Sequence, residues 1–268
     1  MVGPGHPFQV GAHLLALYDR QERERATNVG MRREVAPGLV RQVDLVGTDS
    51  VVLYSKLADA ELDYAIDEQV AYFAELGHDL EWKVYAHDTP SDLVERLLQH
   101  GFVADEREAI VVLDLRAIPA TLGTPTLAVR RLSALDEVQK LLPLFREGRT
   151  DSAERLGWEL REAPEQLSVY IAELDGQPAS CGWVRFPNNT SFASLWGGTT
   201  LPAFRNRGAY SQLVSARVQE ARQRGFRYAT VDAGRMSRPI LERRGFRVLT
   251  WATACTRLRP PRLNTETG

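Results

Sequence analysis

Two stretches of this sequence echo one another at a constant offset, and that repeat points to a fold built from two related halves. Residues 82–102, WKVYAHDTPSDLVERLLQHGF, lie over residues 226–246, FRYATVDAGRMSRPILERRGF, at an offset of 144. Asp88 meets Asp232, Leu97 meets Leu241, and Gly101-Phe102 meets Gly245-Phe246. Each segment reads as a strand with an acidic residue at its end, a short proline-containing helix, a Gly-Phe stop and a further strand. Each also follows a longer helix closed by a glycine, Gly77 or Gly225. Chance likeness between α/β segments is the competing account of the match. With 268 residues, two modest domains fit the usual size of roughly 100–200 residues per domain.

Apolar spacing predicts a helix over 10–25, strands over 39–45 and 50–57, a helix over 60–76, a strand over 81–86, a helix over 90–100 and a strand over 109–115. Residues 116–126, RAIPATLGTPT, show no apolar period and read as a connector, so domains are expected at 1–118 and 119–268. The second half predicts a strand over 127–131, helices over 135–145 and 153–161, and strands over 167–174, 178–186 and 191–201. The turn signals Asp175-Gly176 and Pro187-Asn188-Asn189 are too short for parallel crossovers, so these three strands form an antiparallel meander. A crossover helix follows, with Tyr210, Leu213, Val214, Val218 and Ala221 at helical spacing, and Gly225 ends it. A strand over 226–231, a short helix with Ser237 as N-cap and Pro239 in its first turn, and a strand over 247–258 complete the pattern. The fold class expected is α/β (α+β), each half a mixed, mostly antiparallel twisted sheet flanked by helices.

The formal net charge of −2 taken alone disfavours nucleic acid and anionic membranes as partners. Its distribution is uneven. Between Leu201 and Arg247 eleven arginines stand against three acids, a local +8 that leaves −10 for the remainder. Such a segment suits a small polyanionic ligand, while solvated arginines on helix faces would give the same count. Cys181 and Cys255 are too few for a disulfide framework or a four-thiolate zinc site and are expected as buried thiols. No His/Cys/Asp cluster has metal-ligand spacing, so no metal is expected. No apolar run approaches the roughly 18 residues of a membrane span. The start, MVGPGHPFQV, lacks the basic and apolar regions of a secretory signal, so a cytoplasmic protein is expected.

GGTTLPAFRNRGAYSQLV, residues 197–214, runs strand, proline, basic loop, glycine, helix. A helix N-terminus leaves its first N–H groups unpaired and carries partial positive charge, so a phosphate is stabilised there. Gly208 would admit a ligand close to the backbone, with Ser211, Arg205 and Arg207 adding hydrogen bonds. The segment is neither GxxxxGK[ST] nor GxGxxG, which disfavours a nucleotide triphosphatase or a Rossmann dehydrogenase. Gly197-Gly198 also reads as a bulge where the strand bends away from its neighbour.

Arg205-Asn206-Arg207-Gly208-Ala209-Tyr210 resembles the (Arg/Gln)-x-x-Gly-x-(Gly/Ala) motif of the GNAT superfamily of N-acetyltransferases, with Tyr210 at the usual Gly/Ala position. The meander, crossover helix and terminal Gly-Phe extend the resemblance over about 127–258, and the first half resembles the family as a degenerate copy lacking the basic loop. The resemblance implies acetyl-CoA as co-substrate. Its pantetheine arm would lie along the backbone of Thr199, Thr200 and Leu201, and its pyrophosphate on the N–H groups from Arg207 to Ser211. The family's frequent tyrosine on the short helix is Leu241 here, and its asparagine a turn earlier is Gly234.

Acetyl transfer to an amine needs a neutral nucleophile, a polarised thioester carbonyl and a proton for the leaving thiolate. All five histidines (6, 13, 78, 87, 100) lie in the first half, so a Ser-His-Asp triad within the second is excluded. Asp232 is the leading candidate base, with Glu173 and Tyr170 behind it; a turn or capping carboxylate is the alternative role for Asp232. Trp183 and Trp196 either line a pocket or belong to the core. Cys181 has no basic partner nearby in sequence and reads as a buried hydrophobe. These readings converge on an acetyl-CoA-dependent N-acetyltransferase acting by direct attack in a ternary complex on an amine of a small molecule or peptide. A non-catalytic acyl-CoA-binding module and an O-acyltransferase are the alternatives. No nucleic-acid or membrane partner is expected, and a homodimer is left open.

Overall fold

The computed structural model describes residues 11–132, 137, 138, 141, 144 and 150–259. Helix α1 spans Ala12–Tyr18 and continues into a wider π turn, Asp19–Glu24. Strands β1 (Met31–Ala36), β2 (Leu39–Asp44) and β3 (Asp49–Ser55) pair antiparallel in succession. Helix α2 (Leu62–Leu76) then carries the chain to β4 (Asp79–Tyr85), which lies parallel to β3. Helix α3 (Leu93–Gln99), β5 (Val103–Ala104) and β6 (Glu108–Asp114) end the first half. The second half holds β7 (Ala128–Arg131), α4 (Thr150–Glu162), β8 (Leu167–Leu174), β9 (Gln177–Arg185) and β10 (Phe192–Thr200). It closes with α5 (Ala209–Gln223), β11 (Tyr228–Ala233), α6 (Arg238–Arg243) and β12 (Arg247–Arg257). The helix expected over 135–145 lies largely outside the described residues.

The meander is antiparallel as expected: β7 pairs with β8, β8 with β9, and β9 with β10. Strand β1 was not expected, because MRREVA has no apolar alternation. It forms because Gly38, at φ +70°, turns the chain back so that Met31 to Ala36 ladder onto Asp44 to Leu39. Ser237 does precede α6, but its hydroxyl donates to the Gly234 carbonyl at 3.3 Å and caps no N–H group.

The chain gathers into two compact units, and they do not follow a single cut at 118/119. One takes Arg23–Glu108 with the closing strand from Thr250; the other takes the chain up to Glu22 with Ala109–Leu249. The reason is an exchange of strands. β6, from the first half, pairs antiparallel with β11 from Asp114↔Tyr228 to Ala109↔Ala233. β12, from the second half, pairs with β4 from Ala252↔Tyr85 to Arg257↔Leu80. The run Ala109 to Asp114 is buried at every position, as suits a strand covered on both faces.

The offset repeat is also present in the backbone. Parallel pairing recurs in β3–β4 and β10–β11, each joined by a helix. Phe102 N–H donates to Leu97 O and Phe246 N–H to Leu241 O, both at 3.1 Å, around left-handed Gly101 and Gly245. This is the same helix stop built twice. In the Arg23–Glu108 unit, Leu62, Ile66 and Phe73 of α2 pack with Val52, Leu80, Trp82 and Leu97. In the other unit, Leu156 packs with Val169, Ile171, Cys181 and Trp183.

Candidate functional site

The register of β10 against β11 runs from Phe192↔Tyr228 to Leu195↔Val231 and goes no further. Against β9, the register of β10 shifts between Trp196 and Thr199. The bulge expected at Gly197-Gly198 is therefore present, with Gly197 at φ +64°. Both glycines are required by close packing. A Cβ on Gly197 would lie 1.8 Å from the Trp183 ring, and one on Gly198 would lie 2.5 Å from the Tyr210 ring.

Beyond β10 the chain makes a turn of 3-10 helix, Pro202–Phe204, and enters α5 through Gly208 at φ +85°. The first helical hydrogen bond of α5 is Gln212 N–H to Gly208 O, 3.1 Å. Among the described residues, the N–H groups of Arg207, Gly208, Ala209, Tyr210 and Ser211 donate to no protein acceptor. A Cβ at Gly208 would meet nothing within 4 Å, so the space beside Gly208 is open. Asn206 is left-handed at φ +61° and, like Arg205 and Arg207, exposed. The arrangement supplies donors and a helix dipole to an anion.

The loop's charge is partly engaged. Arg207 forms a two-pronged ion pair with Asp175 in the β8–β9 turn, at 2.7 and 3.0 Å, which holds the Asp175 carboxyl below its ordinary range. Arg205 Nε reaches the Thr200 carbonyl at 3.4 Å. Much of the basic segment serves structure: Arg224 pairs with Glu220, Arg227 with Asp114, and Arg244 donates to the Thr121 carbonyl. The strand edge is also narrower than expected. Leu201 N–H donates to Ala179 O at 3.0 Å and the Ser180 hydroxyl to Thr199 O at 2.6 Å. With Leu201 bonded to Ala179 beside the Thr200↔Ser180 pair, the main chain of Thr200 faces away from β9.

Tyr210 fills the space that Gly198 leaves, and its hydroxyl bonds to Ser237, the residue before α6. Leu241 is fully buried. Ala233 and Gly234 lead from β11 into the α6 turn, where Gly234 O accepts from the N–H groups of Ser237 and Arg238. Asp232 is half-buried on β11, on the sheet face shared by Tyr228 and Thr230. The parallel register puts Trp196 on that same face, 38% exposed, whereas Trp183 belongs to the core. Glu173 and Tyr170 sit on β8, separated from β11 by β9 and β10, so neither stands with Asp232. Glu173 pairs with Arg130, and the Tyr170 hydroxyl donates to Glu220 at 2.8 Å. Burial pushes the Cys181 thiol up to about 12, and both cysteines are free and buried. Among the described residues no cluster of His, Cys, Asp or Glu could hold a metal, and no helix is long and apolar enough to cross a membrane.

Two residues join this region that the sequence did not single out. Glu22, in the π turn after α1, accepts a hydrogen bond from the Thr190 hydroxyl. Burial raises its carboxyl to about 7, and the charge of Asp232 adds to the rise. Gln21 and Tyr18 fix that turn, through Ser191 N–H to Gln21 Oε1 at 3.0 Å and an edge contact of Tyr18 on Phe192. Arg217, on α5, is 2% exposed, and among the described residues its hydrogen bonds go to main-chain carbonyls. Its position one turn from Leu213 and Val214 puts it inside the apolar stripe, a signal that was present in the sequence.

Residues 133–246 match the acetyltransferase (GNAT) family. Among solved structures, a GCN5-related N-acetyltransferase from Kribbella flavida is 16% identical at a TM-score of 0.67, with 91% of this chain and 94% of that chain covered. A functionally unknown conserved protein from Staphylococcus epidermidis is 11% identical at 0.66, covering 87% and 96%. A tandem GNAT protein from the clavulanic acid biosynthesis pathway is 12% identical at 0.54, covering 96% and 91%. These likenesses show the fold. No curated protein matches the sequence.

Proposed function

We propose that this chain, which carries a GNAT-family acetyltransferase domain over residues 133–246, transfers an acetyl group from acetyl-CoA to a primary amine of a small molecule or peptide. The family implies acyl transfer from acyl-CoA. The acetyl group, the amine acceptor and the residue roles are this reading's own. The observation that carries it is the row of free N–H groups from Arg207 to Ser211, entered through a left-handed glycine at the foot of a bulged strand. In this reading the pyrophosphate lies on that row, with Arg205 and Arg207 beside it, and the pantetheine arm follows β10 past Thr199, Thr200 and Leu201.

The amine nitrogen attacks the thioester carbonyl carbon directly within a ternary complex. The carbonyl becomes an oxyanion, the C–S bond breaks, and CoA leaves as a thiolate. The proton released by the nitrogen passes to a carboxylate, for which we assign Asp232, with Glu22 as its neighbour on the same side of the sheet. The thiolate takes a proton from water.

Gly208→Glu tests the site. A carboxylate above the N–H row should abolish CoA binding by calorimetry and leave the melting profile close to that of Gly225→Glu, which carries the same left-handed strain (φ +85°) at the other end of α5. Unchanged affinity in Gly208→Glu would overturn the assignment. A non-catalytic acyl-CoA-binding module is the second reading, favoured by the buried Leu241 in place of a hydroxyl. Saturable acetyl-CoA binding without CoA release across a broad amine panel would select it.

A further inference from the structure

Arg217 is a buried cation, and among the described residues no carboxylate stands beside it. The ionisable groups that act on it are Tyr210, Cys181 and Tyr170, all neutral at physiological pH. Its hydrogen bonds go to Leu213 O in its own helix at 3.1 Å, to Trp183 O at 3.2 Å and to Trp196 O at 3.0 Å. A guanidinium taken out of water without a counter-charge is costly, so one retained beneath the bulge calls for an explanation. Space has been cleared for it. A Cβ on Gly182 would lie 2.8 Å from Nη1 and 3.0 Å from Cζ.

The two carbonyls it holds are on adjacent strands, and Trp196 is the last residue of β10 in register before the bulge. A trans peptide is planar, with its C=O and N–H pointing in opposite directions. Because Arg217 reaches Trp196 O from α5, it tilts that carbonyl toward the helix. The N–H of Gly197, in the same plane, points the other way, to the side of β10 that parts from β11 after the Leu195↔Val231 pair.

We infer that Arg217 is a positioning residue for acyl transfer: by clamping the Trp183 and Trp196 carbonyls it aims the Gly197 N–H at the thioester carbonyl oxygen. This rests on the acyl-CoA reading above. Its fixed positive charge lies across this one peptide group from the oxygen on which negative charge accumulates, and such preorganised charge needs no rearrangement at the moment of reaction. Leu213 O, which receives Nε, fixes the height of the guanidinium along α5, so the aim is set by the helix and not by a flexible loop.

The test uses Arg217→Met, Arg217→Lys and Gly182→Ala, the last displacing the guanidinium while keeping its charge. The main readout is the infrared stretch of the 13C-labelled carbonyl of bound acetyl-CoA, which moves to lower frequency when a donor points at the oxygen. A tie that is only structural would not move it selectively. In the wild type a downshift is expected. In Arg217→Met and Gly182→Ala the downshift should be lost, with kcat reduced at least tenfold and the dissociation constant of acetyl-CoA within threefold of the wild type. Arg217→Lys should fall between, since an ammonium keeps the charge but lacks the Nε–H that holds the guanidinium to Leu213 O. If Arg217→Met does not fold, Gly182→Ala carries the decision by the same criteria. Retention of the full downshift in a folded variant overturns the inference while leaving the acyl-CoA reading intact. Absence of acetyl-CoA binding by the wild type overturns that reading and this inference with it.

Discussion

Glu22 should make this protein less stable as pH rises through neutrality, and Glu22→Gln should remove that loss. Burial and the like charge of Asp232 outweigh the hydrogen bond from the neutral Thr190 hydroxyl, which favours the ionised form, and lift the carboxyl from 4.5 to about 7. A carboxyl raised in the folded state binds its proton more tightly there than in the unfolded chain. Folding is therefore unpenalised below pH 4.5, and stability falls as pH climbs from 4.5 to about 7, with no further loss from this group above that. At 1.36 kcal/mol per tenfold change in proton affinity, the full penalty is at most about 3 kcal/mol. Glutamine keeps the shape and can still accept from Thr190, but it never ionises. Urea denaturation of both forms between pH 4.5 and 8.5 checks the argument. The stabilities should coincide near pH 4.5 and separate progressively, with Glu22→Gln ahead by about 2–3 kcal/mol at pH 8. A difference that is flat with pH, or a variant less stable than the wild type at pH 8, would refute burial of an ionising carboxyl at this position.

Asp88→Ala strands the fully buried Arg23, which Asp88 holds by two bonds of 2.7 and 2.8 Å, and should cost about 3–5 kcal/mol in urea denaturation. Asp175→Asn frees Arg207 to pair with a phosphate on the open N–H row and should tighten CoA binding about two- to fivefold by calorimetry, more at low salt than at high. Gly198→Ala should destabilise by about 1–3 kcal/mol because its Cβ would meet the Tyr210 ring at 2.5 Å. The same substitution in a Tyr210→Ala background should cost markedly less, as thermal melts of the four-member cycle would report.

Elements with a strong local signature were legible in the sequence. The meander followed from alternating strands joined by Asp175-Gly176 and Pro187-Asn188-Asn189, and α5 from its apolar stripe. The Gly208 turn was legible because a basic loop, a glycine and a helix stand consecutively. What escaped was non-local. β1 is charged along its length, and its pairing depends on a turn at Gly38 and a partner strand. The exchange of β6 and β12 could not be seen either, since a strand's partner is chosen across the sheet and the connector at 116–126 marks a change of direction without marking a boundary. Glu22 lies more than 160 residues from Thr190 and more than 200 from Asp232, so neither its burial nor its pairing leaves a local trace.

The departure at Tyr210 acquires a physical reading once the strands are in place. A motif that usually holds glycine or alanine at this position keeps the helix close to the neighbouring strand. Here the bulk of Tyr210 is matched by the missing side chain of Gly198. The same pairing recurs twice nearby: the Trp183 ring lies over Gly197, and the Arg217 guanidinium lies against Gly182. Three glycines on two adjacent strands thus each receive one large group, so the helix-to-strand distance is set jointly by residues that are far apart in sequence. A position read alone as a departure from the motif is therefore one half of a compensated pair. The consequence is specific: the backbone of β10 is held by an aromatic ring on each face and a cation at the bulge, which fixes the direction of its N–H groups before any ligand arrives.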